Sequence, residues 1–237
     1  MRNNTQYSLG GATAKCYIKC MKNPPFVNGE FYHIYNRGTD RRKIFSDLYD
    51  LQRFFQSMDE FNTVNPIGSI YENSFLDPHI RSKRKSRRLV KFIAYCLNPN
   101  HYHFILQQIA NEGISEFMKR LGGGYTWYFN NRYQRSGYLF QSVFKAKHIN
   151  SNNYLLSLSA YVNLNYRVHK LGGATAKLSK SSLDEYVYKH LDNFCEKKII
   201  SEQFKNKLEY KEFAENSLAD TLERKQRDKE LGSLLFE

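Results

Sequence analysis

Two histidines separated by one residue are the clearest candidates for chemistry in this sequence. His101 and His103 stand in the segment HYHFILQ (101–107), which directly follows the turn signal NPN (98–100) and has the composition of a strand. In a strand, residues i and i+2 project from the same face about 6–7 Å apart, so the two imidazoles point together. Neutral imidazole is a good ligand for divalent ions. An isolated His-x-His is more often a pair of partly exposed strand residues, so a metal site needs a third ligand from another element.

A helix later in the chain offers that third ligand together with a nucleophile. The capping signal NSN (150–152) predicts a helix over residues 152–169. Tyr161 and Asn165 are four residues apart on this helix and share a face, so a phenol and an amide oxygen can approach the histidines together. Tyr154 and Tyr166 are competing nucleophiles, and plain packing is an alternative for any of the 18 tyrosines. Composition alone does not choose among them.

The remaining elements must bring these two segments side by side. Apolar periodicity and turn residues predict a strand at 31–36, a helix at 47–61, strands at 89–97 and 101–107, a helix at 114–133 and a strand at 138–149. With the helix that follows, the order is β-α-β-β-α-β-α. This order predicts an α+β fold, a ferredoxin-like sandwich in which helices pack on an antiparallel sheet.

The chain of 237 residues is long enough for one catalytic domain with extensions. We expect a flexible basic segment at 1–28, the catalytic domain at 29–190 and a helical C-terminal extension at 191–237. The heptapeptide LGGATAK occurs at 9–15 and again at 171–177, a separation that does not fit a solenoid repeat.

The charge balance indicates a polyanionic partner. Thirty-six Lys and Arg against 23 Asp and Glu give a formal net charge of +13, and nucleic acid is the leading partner class. The segment 81–91 carries seven basic residues and no acid, and it is predicted as either a solvated or a phosphate-contacting loop. The chain contains no apolar run of about 18 residues and no apolar core of a secretory signal near its start. We therefore expect a cytoplasmic protein with no membrane partner and with its four cysteines reduced.

Four segments together resemble REP-associated tyrosine transposases and their insertion-sequence relatives, which are single-tyrosine transposases of the HUH class. The segments are FYHIYNRGTDRRKIF (31–45), HYHFIL (101–106), YTWYFNNRYQRSGYLFQSVFKAK (125–147) and AYVNLNY (160–166). The resemblance covers roughly residues 30–190. The His-apolar-His motif is specific only in this combination, with the aromatic helix, the strand and the tyrosine helix in the family's order.

The resemblance implies an HUH nuclease fold and a role for each of four residues. His101 and His103 would be metal ligands, Asn165 the third ligand, and Tyr161, in the pattern Y-[VI]-x-x-N, the nucleophile. The implied cofactor is a divalent metal, Mg²⁺ or Mn²⁺. The implied activity is cleavage and rejoining of single-stranded, hairpin or palindromic DNA through a covalent 5′-phosphotyrosine.

Two departures from the family pattern bear on DNA contact. Tyr166 stands where the family commonly has Pro, and Ser142-Val143 stands where it has a Gly-Arg pair. The second departure removes a cation that Lys145 and Lys147 can replace. Nine basic residues are predicted to bind DNA: Arg37, Arg84, Arg87, Arg88, Lys119, Arg120, Arg132, Lys145 and Lys147.

Three other functions compete with transposition. The chain could be a catalytically silent or domesticated DNA- or RNA-binding module of the same fold, since sheets with aromatic faces also bind RNA. It could be another HUH nuclease, such as a replication initiator or a relaxase, or a hydrolase that uses metal-activated water. The general base and the choice between monomer and homodimer are left open by the sequence.

Overall fold

The computed structural model describes residues 23–169, 177–188 and 194–234. The predicted flexible segment at 1–28 therefore lies mostly outside the described residues, as does the first copy of LGGATAK. Of the second copy, only Lys177 is described.

The centre of the fold is a five-stranded antiparallel sheet in the order β4-β1-β3-β2-β5. The strands are β1 Phe31–Arg37, β2 Val90–Asn98, β3 His101–Gln108, β4 Lys145–Ile149 and β5 Lys180–Ser181. The first four strands have the order of a ferredoxin-like sheet, and β5 adds a two-residue edge beside β2. The predicted α+β sandwich is confirmed.

Nine α-helices are described, and helices pack on both faces of the sheet. They are α1 Leu48–Glu60, α2 Ile70–Ser74, α3 Pro78–Lys85, α4 Gly113–Arg132, α5 Asn152–Asn163, α6 Asn165–Val168, α7 Leu183–Val187, α8 Lys198–Ser201 and α9 Lys207–Leu234. Helices α8 and α9 lie in residues 191–237, the range predicted as a helical extension, whereas α7 lies before it. No helix in the described part of the chain is both long and apolar enough to cross a bilayer.

The period-two alternation of β3 separates two cores. Phe104 faces α1 and α4 and packs in a cluster with Phe54 and Phe117. Ile105 faces the opposite side and packs in a cluster with Val162 of α5 and Tyr210 of α9. His101 and His103 share the α5 side of β3 with Ile105 because alternate residues of a strand point the same way. The sheet thus holds the two histidines under the helix that carries Tyr161.

Three elements differ from their predicted form. The basic segment 81–91 is helical over its first part, because Asp77 caps α3 and Pro78 occupies its first turn. The strand predicted at 138–149 is regular only at Lys145–Ile149. The helix predicted over 152–169 is interrupted at Leu164, which separates α5 from α6.

Helix α4 runs without a break through Gly122-Gly123-Gly124. One of these glycines has a packing reason, since a Cβ on Gly124 would lie 2.6 Å from the ring of Phe61. A Cβ on Gly123 would meet no atom within 4 Å. Tertiary packing therefore overrides the low helix propensity of the triplet.

Candidate active site

The two histidines lie at the start of β3, next to the turn that joins it to β2. Their rings are 5.3 Å apart at 88°, so the prediction that both project to one face is confirmed. The antiparallel pairing of β1 with β3 places Tyr35 opposite His103 and Arg37 opposite His101. A cationic and an aromatic side chain of β1 therefore flank the histidine pair.

The amide of Asn165 closes the site from the helical side. Its Oδ1 lies 3.1 Å from Nε2 of His101. Asn98, fully buried at the end of β2, bridges both atoms: its Nδ2 donates to Asn165 Oδ1 at 2.8 Å and lies 3.0 Å from His101 Nε2. The break at Leu164 starts α6 at Asn165 and so brings this amide to the sheet.

A hydrogen-bond chain defines the tautomer of neutral His101. Asn100 donates through Nδ2 to the carbonyl of Arg41, so its Oδ1 faces Nδ1 of His101 at 2.6 Å. Nδ1 must therefore carry the proton, and Nε2 presents a lone pair toward Asn165 Oδ1. Two acceptors 3.1 Å apart repel each other, and the bridging Nδ2 of Asn98 offsets that repulsion, as a bound cation would.

This donor set fits a small divalent ion. Metal–ligand distances of about 2.0–2.2 Å allow two neighbouring ligands to be about 3 Å apart, which matches the separation of His101 Nε2 and Asn165 Oδ1. His103 adds a second imidazole on the same face. The third member of the set is the amide oxygen of Asn165. Within the described ranges, no group of three or more His, Cys, Asp or Glu side chains could hold a metal by itself.

A third histidine, His33, supports His103 from β1. Its Nε2 lies 2.9 Å from Nδ1 of His103, and the two rings stack at 5.2 Å and 20°. His33 is only 8% exposed. Burial, and secondarily the charge of Lys147, lowers the pKa of His33 from 6.5 to about 4. This ring is therefore neutral near pH 7.

The structure discriminates among the three tyrosines of the 152–169 region. Tyr161 lines the cleft beside the histidines, and its ring meets that of His103 edge-on at 5.8 Å and 84°. Tyr154 instead packs under the ammonium group of Lys147 at 5.0 Å. Tyr166 lines a separate cleft between α1 and β5. Only Tyr161 of these three lines the histidine cleft.

The Tyr161 hydroxyl is a protonated phenol at neutral pH. Burial raises its pKa above the usual value of 10, and the nearby side-chain amide of Asn165 partly opposes that rise. Any attack by this oxygen must therefore be accompanied by loss of its proton.

The cleft around these groups has a volume of about 620 Å³ and a cationic lining. Arg37, Arg41 and Lys145 line it, and the described lining residues include no Asp or Glu. Arg37 is oriented by a hydrogen bond from its Nε to Gln141. Lys147 lies near the cleft, beside His33 and Tyr154. Three of the nine predicted DNA contacts, Arg37, Lys145 and Lys147, are thus brought to the histidines.

The other six predicted DNA contacts do not line this cleft. Arg88 binds the backbone carbonyl of Asp59 at 2.7 Å and its carboxylate at 2.8 Å, which ties the end of α1 to the start of β2. Arg84 donates to Asn73 at 3.2 Å, and the neighbouring Arg87 is exposed. The basic 81–91 segment therefore contributes much of its charge to internal packing.

The cations of α4 have partners within the chain. Arg132 pairs with Asp47 at 2.6 Å and with the fully buried Asp50 at 2.9 Å. Arg120 donates to the carbonyl of Thr63 at 2.6 Å. Lys119 is exposed and lies 3.6 Å from Glu116.

Sequence reasoning missed several residues of the site. His33 and Tyr35 alternate along β1 with Arg37, which the sequence did predict as a DNA contact, so the period-two pattern of FYHIYNR already contained the signal that the three share a face. His169 lines the cleft with its ring edge-on to His101 at 4.6 Å. Asn98 and Asn100 belong to the turn segment NPN, where they were interpreted only as turn formers.

Comparisons with known proteins agree with the resemblance seen in the sequence. Residues 73–165 match the family model described as "Transposase IS200 like", a range that includes both histidines, Tyr161 and Asn165. The resemblance to these transposases is thereby confirmed for that range. A solved structure of a REP-associated tyrosine transposase bound to a REP hairpin is similar to this chain at 13% identity and a TM-score of 0.49. The similarity covers 73% of this chain and 88% of that chain. No curated protein matches the sequence.

Proposed function

We propose, on the premise that residues 73–165 match IS200-like transposases, that this protein cuts and rejoins single-stranded or hairpin DNA with Tyr161 as its nucleophile. The observation that carries the proposal is the convergence of Tyr161, Asn165 and the His101–His103 pair in one cationic cleft.

The lining of the cleft supports a phosphodiester substrate. Arg37, Arg41 and Lys145 provide positive charge, and the described lining residues provide no carboxylate to repel a phosphate. The similar solved transposase is bound to a DNA hairpin, which supports hairpin DNA as the first substrate to test.

The proposed reaction is an exchange of one phosphodiester for another. The Tyr161 oxygen forms a bond to phosphorus while the bond from phosphorus to the 3′ oxygen breaks. The phenol loses a proton and the departing 3′ oxygen gains one, so the products are a 5′-phosphotyrosine and a free 3′-OH. Because the bond energy is conserved, another 3′-OH can reverse the step and join a new strand without ATP.

Each side chain has a defined task in this scheme. His101, with its proton held on Nδ1 by Asn100, presents Nε2 to the centre of the site together with Asn165 Oδ1. A divalent ion held by His101, His103 and Asn165 would polarise the scissile phosphate and offset charge in the transition state. Asn98 keeps the first and third of these ligands together through its bridging amide.

The test is transfer of label from DNA to protein on a denaturing gel. A hairpin oligonucleotide labelled at its 3′ end should leave labelled protein, because the 3′ fragment carries the 5′-phosphate that joins Tyr161. The same oligonucleotide labelled at its 5′ end should release a shortened free strand and leave the protein unlabelled. Both products should require Mg²⁺ or Mn²⁺.

Matched tyrosine variants make the test specific. Tyr161→Phe should abolish the adduct, whereas Tyr154→Phe and Tyr166→Phe should retain it because neither ring lines the histidine cleft. Cleavage without any adduct would favour a water-using hydrolase. Tight DNA binding without cleavage across metals and palindromic substrates would favour the catalytically silent binding module.

A further inference from the structure

The nitrogen of His103 that faces β1 has a specific partner. His33 Nε2 lies 2.9 Å from His103 Nδ1, a distance at which one proton must lie between the two nitrogens. The contact joins residues 70 positions apart and is partly buried, and His33 contributes a nearly fully buried ring to it.

The packing around His33 holds its ring in place. Its ring lies 4.9 Å from that of Tyr35, which also stacks on His103 at 5.8 Å and 21°. The antiparallel register sets His33 opposite Ile105 and Tyr35 opposite His103, so the three rings form one layer across β1 and β3. Rotation of His33 away from His103 would break this layer.

The position of the shared proton decides what His103 can do. If the proton belongs to His103 Nδ1, then His103 Nε2 has a lone pair and can be a metal ligand. If the proton belongs to His33 Nε2, neutral His103 must carry its own proton on Nε2, which prevents ligation through that atom. A partner that accepts from Nδ1 therefore selects the ligating tautomer.

We propose that His33 is a positioning residue that accepts the Nδ1 proton of His103 and thereby holds this ligand in its metal-binding tautomer. The inference rests on the proposed function, because it assumes that His103 ligates a divalent ion. It parallels the role of Asn100, whose Oδ1 meets Nδ1 of His101. Each histidine of the pair then has its own orienting acceptor.

Two substitutions of His33 distinguish loss of its hydrogen-bond acceptor from loss of its ring volume. The side-chain oxygen of His33→Gln can accept from His103 Nδ1, whereas His33→Leu fills similar space and accepts nothing. His148→Gln is the matched control, because His148 lies on neighbouring β4 and pairs with Glu30 instead of the site.

The experiment is a titration of the full chain with Mn²⁺ without DNA, in which free Mn²⁺ is measured by electron paramagnetic resonance. His33→Leu should weaken Mn²⁺ binding about 10–100-fold, the usual effect of losing the partner of a ligating histidine. His33→Gln should stay within a few-fold of wild type, and His148→Gln should equal it. Equal Mn²⁺ affinity in His33→Leu and wild type would overturn the proposal.

A second readout does not depend on the folding of any variant. Long-range ¹H–¹⁵N nuclear magnetic resonance of metal-free wild-type protein should find the His103 proton on Nδ1, and a proton on Nε2 would contradict the proposal. The outcome is also separable from that of the proposed function. If the tautomer and the Mn²⁺ affinities are as expected but no DNA adduct forms, the transposase function is wrong and the role of His33 stands. If an adduct forms but His33→Leu binds Mn²⁺ as tightly as wild type, the transposase function stands and the role of His33 is wrong.

Discussion

The side-chain oxygen of Asn165 lies 3.1 Å from Nε2 of His101, and 64 residues of chain separate the two. Asn98 donates to that oxygen and lies within hydrogen-bonding distance of that nitrogen from a third element. Two neighbouring strands and the start of a helix thus meet at one cluster of polar side chains.

The first prediction concerns the amide. Asn165→Ala removes the proposed oxygen ligand and should weaken Mn²⁺ binding by at least about tenfold. Asn165→Asp keeps an oxygen that can accept from Asn98 and adds negative charge, so it should bind Mn²⁺ at least as tightly as wild type. Isothermal titration calorimetry measures both. Wild-type affinity in Asn165→Ala would remove this residue from the ligand set.

The second prediction separates DNA-binding cations from structural ones. Arg37→Ala and Lys145→Ala should each lower the slope of log affinity against log salt by about 0.7 for single-stranded DNA, the expected loss for one phosphate contact. Arg88→Ala should leave that slope unchanged and instead lower the free energy of unfolding by about 1–2 kcal/mol, because its partners at Asp59 lose their donor. Fluorescence anisotropy at several salt concentrations and urea denaturation give the two quantities. A lower slope in Arg88→Ala, with unchanged slopes in Arg37→Ala and Lys145→Ala, would mean that the DNA binds along the 81–91 segment instead.

The third prediction uses two neighbouring glycines of α4. Gly123→Ala should raise the free energy of unfolding by roughly 0.5–1 kcal/mol, because the new methyl group meets no atom and improves helix propensity. Gly124→Ala should lower it by about 1–3 kcal/mol, because the methyl group would lie 2.6 Å from the Phe61 ring. Thermal or urea denaturation measures both changes in the free energy of unfolding. Adding Phe61→Leu to Gly124→Ala should recover part of the loss, and no recovery would mean that the ring is not the obstacle.

The fourth prediction is a pH dependence of stability. The pKa of His33 falls from 6.5 when exposed to about 4 in the fold, so between these values the unfolded chain binds the extra proton and folding excludes it. The free energy of unfolding should therefore decrease as the pH falls below 6.5, with His33 accounting for about 3 kcal/mol by the time the pH approaches 4. His33→Gln should lack this component. Urea denaturation of both proteins at about pH 7 and about pH 4.5 measures the difference, and parallel losses would assign the effect to other groups.

Local patterns predicted the main elements and the placement of the histidine pair. Strand alternation alone places His101 and His103 on one face, and helical spacing alone brings Tyr161 and Asn165 near each other. The predicted boundaries of helices and strands were less accurate where contacts between distant segments determine them. Helix α4 persists through its glycines because it packs on Phe61 and the sheet, and the break at Leu164 follows no helix-breaking residue in the sequence.

The sequence by itself determined the order of the main helices and strands along the chain, the spacing of the candidate ligands and the excess of positive charge, because these depend on periodicity and composition within short segments. Only the tertiary structure decided which tyrosine enters the cleft, which cations line it and which are held by Asp47, Asp50 and Asp59. It also brought His33 to His103, and Asn98 to His101 and Asn165. Hydrogen bonds and ion pairs form over a few ångströms between segments distant in the chain, so their partners are set by how the sheet and helices pack.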